Sequence, residues 1–238
     1  MQTTETNYNK LKNDYDKYIY LSKDIGAFFG GPSLYFHNRA LDERKINFLG
    51  DNHLEMIYAT LTAWGMHRMG DTKTKMVSFE KFKTAILKQQ EILLELKELK
   101  IEEVNNSDLP GLVSKLNTLC FNLEASASNS KLVGNSKTLA HILPNLIPPI
   151  DRQYAIRFFT TEPTDFFDGK EKFKQIQNFK KNEEEKYFEH IINKTYDFIN
   201  HVKLNDEIKI EQPFNTSLPK IFDNLIVTYI RNSMQKAE

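Results

Sequence analysis

The sequence predicts an all-α fold, about eight to ten helices in one irregular globule, and three observations carry that expectation. Apolar residues recur at three- and four-residue spacing through most of the chain, which is the period of a helix with one buried face. Strand-like alternation is confined to Ile208-Lys209-Ile210, too short to commit to a strand. Capping residues and breakers punctuate the periodic stretches where helices should start and stop.

Leu11, Tyr15, Tyr18, Ile19 and Ser22 set a first helix over about Asn7 to Lys23. The run Gly26-Ala27-Phe28-Phe29-Gly30-Gly31-Pro32 then favours a turn, and Ser33 can cap a second helix through Leu34, Tyr35 and Phe36 toward Arg44. Asp51 is placed to cap a core helix with Leu54, Ile57, Tyr58, Leu61, Trp64 and Gly65 on one face and Gly70 past its end. Ser78 opens a long amphipathic helix buried through Phe79, Phe82, Ile86, Leu93 and Leu96. Its partner starts at Ser107-Asp108-Leu109-Pro110 and runs through Val113, Leu116, Leu119 and Leu123.

The small, polar stretch 125–130 is the best hinge, so the single helical domain 1–238 divides into possible sub-lobes 1–124 and 131–238 around a cleft. A short helix follows from Lys137 to Leu143, stopped by Pro144 and the Pro148-Pro149 pair. Asp151 can cap another over Tyr154, Ile156, Phe158 and Phe159. The charged stretch from Lys170 to Lys203 supports two helices, or one broken near Asn182. The last helix is capped by Ser217, with Pro219 close behind, and buries Ile221, Leu225, Ile226, Tyr229 and Ile230.

Composition bounds the function classes. With 238 residues, 40% of them hydrophobic, the chain can bury a core, and 32 basic against 32 acidic residues leave no basic footprint for nucleic acid over the chain as a whole. Cys120 is the only cysteine, which excludes an internal disulfide and a Cys-based zinc site; its place among Leu116, Leu119 and Leu123 on one face favours burial over nucleophilic chemistry. No basic segment followed by an apolar run opens the chain and no apolar run approaches the roughly 18 residues of a spanning helix, so a cytoplasmic protein without membrane contact is expected. The histidines show no zincin box or other familiar spacing, so no metal is expected, nor any cofactor. Gly30 to His37 lacks the Lys-Ser/Thr ending of a phosphate loop and reads as a turn. Tyr35, His37, Trp64, His67 and Arg68 suit a pocket wall, although Trp64 in the core, with His67 and Arg68 at a helix end, is the better-weighted reading.

The informative segment runs from Lys131 to Tyr154. Between Lys131 and Phe159 the charges are Lys131, Lys137, Arg152 and Arg157 against Asp151 alone, a net of +3 in an otherwise neutral chain. A glycine turn and helix start lie ahead of Lys137, where backbone N–H groups can receive a phosphate. A lone carboxylate follows a proline-bounded loop, where it can act as a base or on a developing cation. Leu132-Val133-Gly134-Asn135-Ser136, the helix from Lys137 and the link through Pro148-Pro149 to Asp151 resemble the end of the helix-hairpin-helix DNA glycosylase superfamily over about two dozen residues, with Ser136 in place of the second hairpin glycine.

The resemblance implies a nucleic-acid-associated, glycosylase-like helical protein that binds or acts on DNA bases. Asp151 and Lys137 would be its catalytic residues, and Lys131, Gly134, Asn135, Ser136, Arg152 and Arg157 would contact the nucleic acid. Read from the residues alone, Asp151 as an N-cap and Lys137 as an exposed first-turn residue are the better-weighted readings. The alternative function is then a non-catalytic helical module that docks a protein partner through its charged helices.

Overall fold

The computed structural model describes residues 4–24, 31–67, 74–128, 130–162, 181–204 and 213–235. Among them the fold is all-α: eleven α-helices and no strand, with a single isolated bridge between Met76 and Ser126. In order these are α1 (Thr6–Asn13), α2 (Tyr15–Ser22), α3 (Gly31–Ile46), α4 (Asp51–Ala63), α5 (Phe79–Leu87) and α6 (Gln90–Leu96). Then come α7 (Leu109–Asn122), α8 (Leu132–Ile142), α9 (Arg157–Thr160), α10 (Lys181–Val202) and α11 (Leu218–Gln235). A 3-10 turn at Ile101–Glu103 precedes α7, and a π-helical turn at Arg152–Ile156 leads into α9.

Two expected single helices are each broken in two, which accounts for the larger number. Asp14 leaves the helical region at φ −112°, ψ 22° between α1 and α2, and Gln89 does so at φ −103°, ψ 13° between α5 and α6. Each break re-aims the apolar stripe, so that Tyr8 and Tyr18, or Phe82 and Leu93, all reach the same core. The expected Gly70, the loop beyond residue 162, the helix over 170–180 and Ile208-Lys209-Ile210 lie outside the described residues.

Packing centres on α8. It contacts α3, α4, α7 and α10, and nine of its residues are buried, among them Gly134, Asn135 and Ser136. α3 lies along α4, and α11 packs on α1, α2, α10 and the π turn. One apolar cluster includes Leu11, Leu54, Phe82 and Leu116 from before segment 125–130 and Leu139, Phe158, Phe188 and Phe222 from after it. Within that segment Ser126 is buried and the Ala127 N–H donates to the Lys75 carbonyl at 2.8 Å. Cys120 is fully buried, and burial pushes its thiol far above the ordinary range, as an inert core residue requires.

Three buried histidines tie α3, α4 and α8 together. His141 Nδ1–H donates to the Lys137 carbonyl at 2.7 Å, leaving its Nε2 to accept from His37 Nδ1–H at 2.9 Å. His37 Nε2 must then accept from the Thr216 hydroxyl, also at 2.9 Å. The Leu49 N–H donates to His53 Nδ1 at 3.1 Å, which leaves His53 Nε2–H to donate to the His141 carbonyl at 3.4 Å. Every bond in this set uses a neutral ring.

Burial lowers the His141 and His53 imidazoles to about 4 and His37 well below its ordinary value, and the charges of Lys220 near His37 and His141, Lys137 near His141 and Arg44 near His53 act in the same direction. The unfolded chain therefore takes up protons below about pH 6.5 that the folded chain refuses, and stability falls as pH drops from there toward 4. The thermal midpoint followed by circular dichroism should be level from pH 8 to 6.5 and fall by about 4–8 °C, on the order of 2 kcal/mol, by pH 5. A midpoint unchanged between pH 6.5 and 5 would contradict neutral burial of these rings.

Candidate functional site

A cleft beside the informative segment has a volume of about 590 Å³ and lies where the end of α4, the first turns of α8, the π turn and α11 meet. Lys137, Asp151 and Arg152 line it, so three of the residues expected to carry function share one surface. Trp64, Tyr154 and Phe214 supply aromatic walls, and Lys220, Asp223 and Arg231 come from α11. This mixture of flat apolar surface with a few converging charged groups is the usual make-up of a ligand site.

Asp151 reconciles two expectations. Its backbone is extended, φ −130° and ψ 168°, and its Oδ1 accepts from the Tyr154 N–H at 2.7 Å, so it is an N-cap. Its Oδ2 has no hydrogen-bond partner among the described residues, and the side chain borders the cleft. The π turn that it caps places Tyr154 on the same wall. Lys137, half-buried, holds its ammonium 5.7 Å from the Trp64 ring centroid.

Trp64 is half-buried on this wall, which corrects its expected place in the core. α4 ends at Ala63, and Gly65 at φ +81° turns the chain there, leaving one edge of the indole at the surface. Behind the wall His37 stacks on Phe214 at 5.1 Å and 6°, and on Trp64 at 5.6 Å and 27°. Of the other expected wall residues, Tyr35 and His67 are exposed outside the cleft lining, and Arg68 lies outside the described residues.

The remaining predicted contacts are placed elsewhere. α8 begins at Leu132, so Gly134, Asn135 and Ser136 lie inside a helix where a hairpin ahead of Lys137 was expected. A Cβ at Gly134 would meet Ser126 Cβ at 3.1 Å: the glycine admits a neighbouring chain segment, and it is buried. Asn135 Nδ2 donates to the Cys120 and Leu123 carbonyls, each at 2.7 Å, closing the end of α7. Ser136 Oγ accepts from the Ile150 N–H at 3.2 Å. Arg157 is 8% exposed, among core aromatics. Lys131 donates from Nζ to the Ser126 carbonyl at 2.9 Å, away from the cleft.

The expected phosphate position at the start of α8 already holds an anion. Glu184 of α10 accepts from the Lys131 N–H at 2.9 Å, the Leu132 N–H at 3.4 Å and the Ser130 hydroxyl, and Arg152 Nη2 stands 3.5 Å from the same carboxylate. Of the net charge of +3 read along the segment, Glu184 answers Arg152, while the Lys131 ammonium is spent on a carbonyl and Arg157 is buried away from the cleft surface.

The cleft draws its other cations from α11, where sequence reasoning saw only a buried face. Arg231 donates from Nε and Nη2 to the Tyr154 hydroxyl at 3.3 and 3.2 Å. Lys220 donates to Asp223 Oδ2 at 2.5 Å and to Asn224 Oδ1 at 2.6 Å. Burial, reinforced by the charge of Asp151, holds the Asp223 carboxyl above its ordinary range against the pull of Lys220 and Lys137. The available signal was the Lys220/Asp223 pair, three residues apart in an otherwise apolar helix. No group of three or more His, Cys, Asp or Glu able to hold a metal occurs among the described residues.

Replacing Glu184 by Ala should lower stability by about 3 kcal/mol, because Arg152 and the first N–H groups of α8 lose a buried carboxylate together. Urea unfolding should show the lower midpoint with an unchanged slope; a loss below about 0.5 kcal/mol would mean that water replaces the cap. Compared with protein-family models, with curated proteins and with solved structures, the chain matches none.

Proposed function

We propose that this is a nucleic-acid-associated, glycosylase-like helical protein, and that the cleft beside Asp151 receives a single unpaired base of DNA. The observation that carries the proposal is the convergence of Asp151, with one unspent carboxylate oxygen, and Lys137 on a cleft walled by Trp64, Tyr154 and Phe214. An extruded base needs flat apolar walls to replace the stacking that it loses, and its flanking phosphates need cations at the rim. Lys137 and Arg231 fit the second requirement; the buried Asn135, Ser136 and Arg157 have no part in it. In this reading Asp151 Oδ2 stabilises positive charge developing on the sugar as the base leaves, or activates the water that replaces it, while Oδ1 keeps the carboxylate fixed to the π turn.

A second reading, a non-catalytic module that docks a protein partner, is favoured by the capping bond of Asp151, which by itself accounts for an aspartate at this place.

Trp64, the only tryptophan, makes the first reading directly measurable. Single-stranded and duplex oligonucleotides should quench its fluorescence, with affinity falling about tenfold or more between 50 and 200 mM salt. Lys137→Met should weaken binding at low salt by about tenfold at most, on the scale of one phosphate contact. Asp151→Asn should bind comparably while base release drops by about a hundredfold or more. Absence of salt-dependent binding to any nucleic acid would sink the proposal; binding without base release from any substrate would leave a binding protein.

A further inference from the structure

The cleft contains two lysines in different physical situations. Lys137 is half-buried and its ammonium, 5.7 Å from the Trp64 ring centroid, has no hydrogen-bond partner among the described residues; such a group is a movable point charge suited to a phosphate. Lys220 is fixed. Its backbone N–H is capped by Ser217 Oγ at 3.2 Å, its side chain is 8% exposed, and its ammonium stands 4.8 Å from the Phe214 ring centroid and 5.9 Å from that of Trp64. Of its three N–H bonds, one goes to Asp223 and one to Asn224. The third has no acceptor among the described residues, while the side chain lines the cleft.

From this we infer that Lys220 is the donor that reads the ligand's ring, giving its third N–H to an oxo oxygen of the inserted base. The inference rests on the nucleobase reading of the cleft. A buried ion pair is costly to desolvate, and a polar partner for the remaining N–H recovers part of that cost only when a ligand is in place. Position decides between an oxo group and a phosphate: the Lys220 charge is already met by Asp223 and its ammonium stands close to the Phe214 and Trp64 rings, whereas Lys137, Arg152 and Arg231 leave the rest of the lining cationic, so a full anion gains more beside them than at Lys220. A neutral carbonyl oxygen held between aromatic rings still gains a charge-assisted hydrogen bond. A site built in this way discriminates against the same ring without the oxygen, since the donor is then left buried and unpaired.

Two single-stranded oligonucleotides that differ at one base test this: one with hypoxanthine, the other with unsubstituted purine, the same bicycle without the 6-oxo group. Titrated against Trp64 fluorescence, the wild-type chain should bind the hypoxanthine strand about tenfold more tightly. Lys220→Met combined with Asp223→Leu, which removes both charges at once, should abolish the preference. Lys220→Met alone, beside an Asp223 carboxyl that burial already holds above its ordinary range, should do so as well and serves if the double variant does not fold. Lys137→Met should weaken both strands equally and keep the ratio. Equal affinities in the wild-type chain, or a preference that survives substitution of Lys220, would overturn the inference while leaving the nucleobase reading intact. If neither strand binds, or both bind without changing Trp64 fluorescence, the nucleobase reading and the inference fall together.

Discussion

The fold depends on how the first turn of α8 is satisfied inside the protein. Nine residues of this helix are buried and it contacts four other helices, so its leading N–H groups have little water to turn to. Glu184 resolves this from α10 with a carboxylate that also takes the Ser130 hydroxyl and faces Arg152. One side chain thereby joins the long charged helix to the central one and anchors the start of the π turn. The same arrangement decides what the site can be. A helix start that already holds an internal anion is closed to a phosphate, while Lys137 further along α8 reaches the surface beside Trp64.

The cleft is assembled from helix ends and irregular turns, and this suits it to a ligand. α4 stops at Trp64, the π turn at Arg152–Ile156 widens the backbone after Asp151, and α11 contributes its first turn and, through Arg231, a later one. Asp151 is held by a bond to its own turn and needs no second residue to orient it. Asp151 and Lys220 thus each have part of their bonding capacity committed to the fold and part left over, a division that fixes their position.

The fold class was legible because helical periodicity survives whatever the tertiary contacts do. Ser217, two residues before Pro219, does cap α11 through the Lys220 N–H, and Asp151 does cap its turn. Asp51 fails as a cap because its carboxylate is drawn 2.6 Å from Lys83; Gly50 occupies the cap position and Asp51 begins α4. The site was only half legible. Lys137 and Asp151 stood out by spacing and charge, but a linear count of charge cannot show that Arg157 is buried or that Glu184 answers Arg152 from a helix more than thirty residues away in sequence. Gly134 read as a turn residue since glycine favours turns; here it serves close approach of Ser126, which only the packed structure reveals. Lys220 and Arg231 sat within a helix read for its buried face, where the Lys220/Asp223 spacing was the available sign of a polar site.

The hydrogen-bond chain behind the aromatic wall has one direction. From the Thr216 hydroxyl through His37 and His141 to the Lys137 carbonyl, each member donates to the next, and none can reverse alone without setting two lone pairs or two hydrogens against each other. The wall therefore behaves as a single electrostatic object with one internal arrangement of protons. His37, pressed between Trp64 and Phe214, presents a neutral ring throughout the neutral range. Whatever enters the cleft meets a surface that does not respond to pH there, and any such response must originate in the carboxylates and amines at its edge.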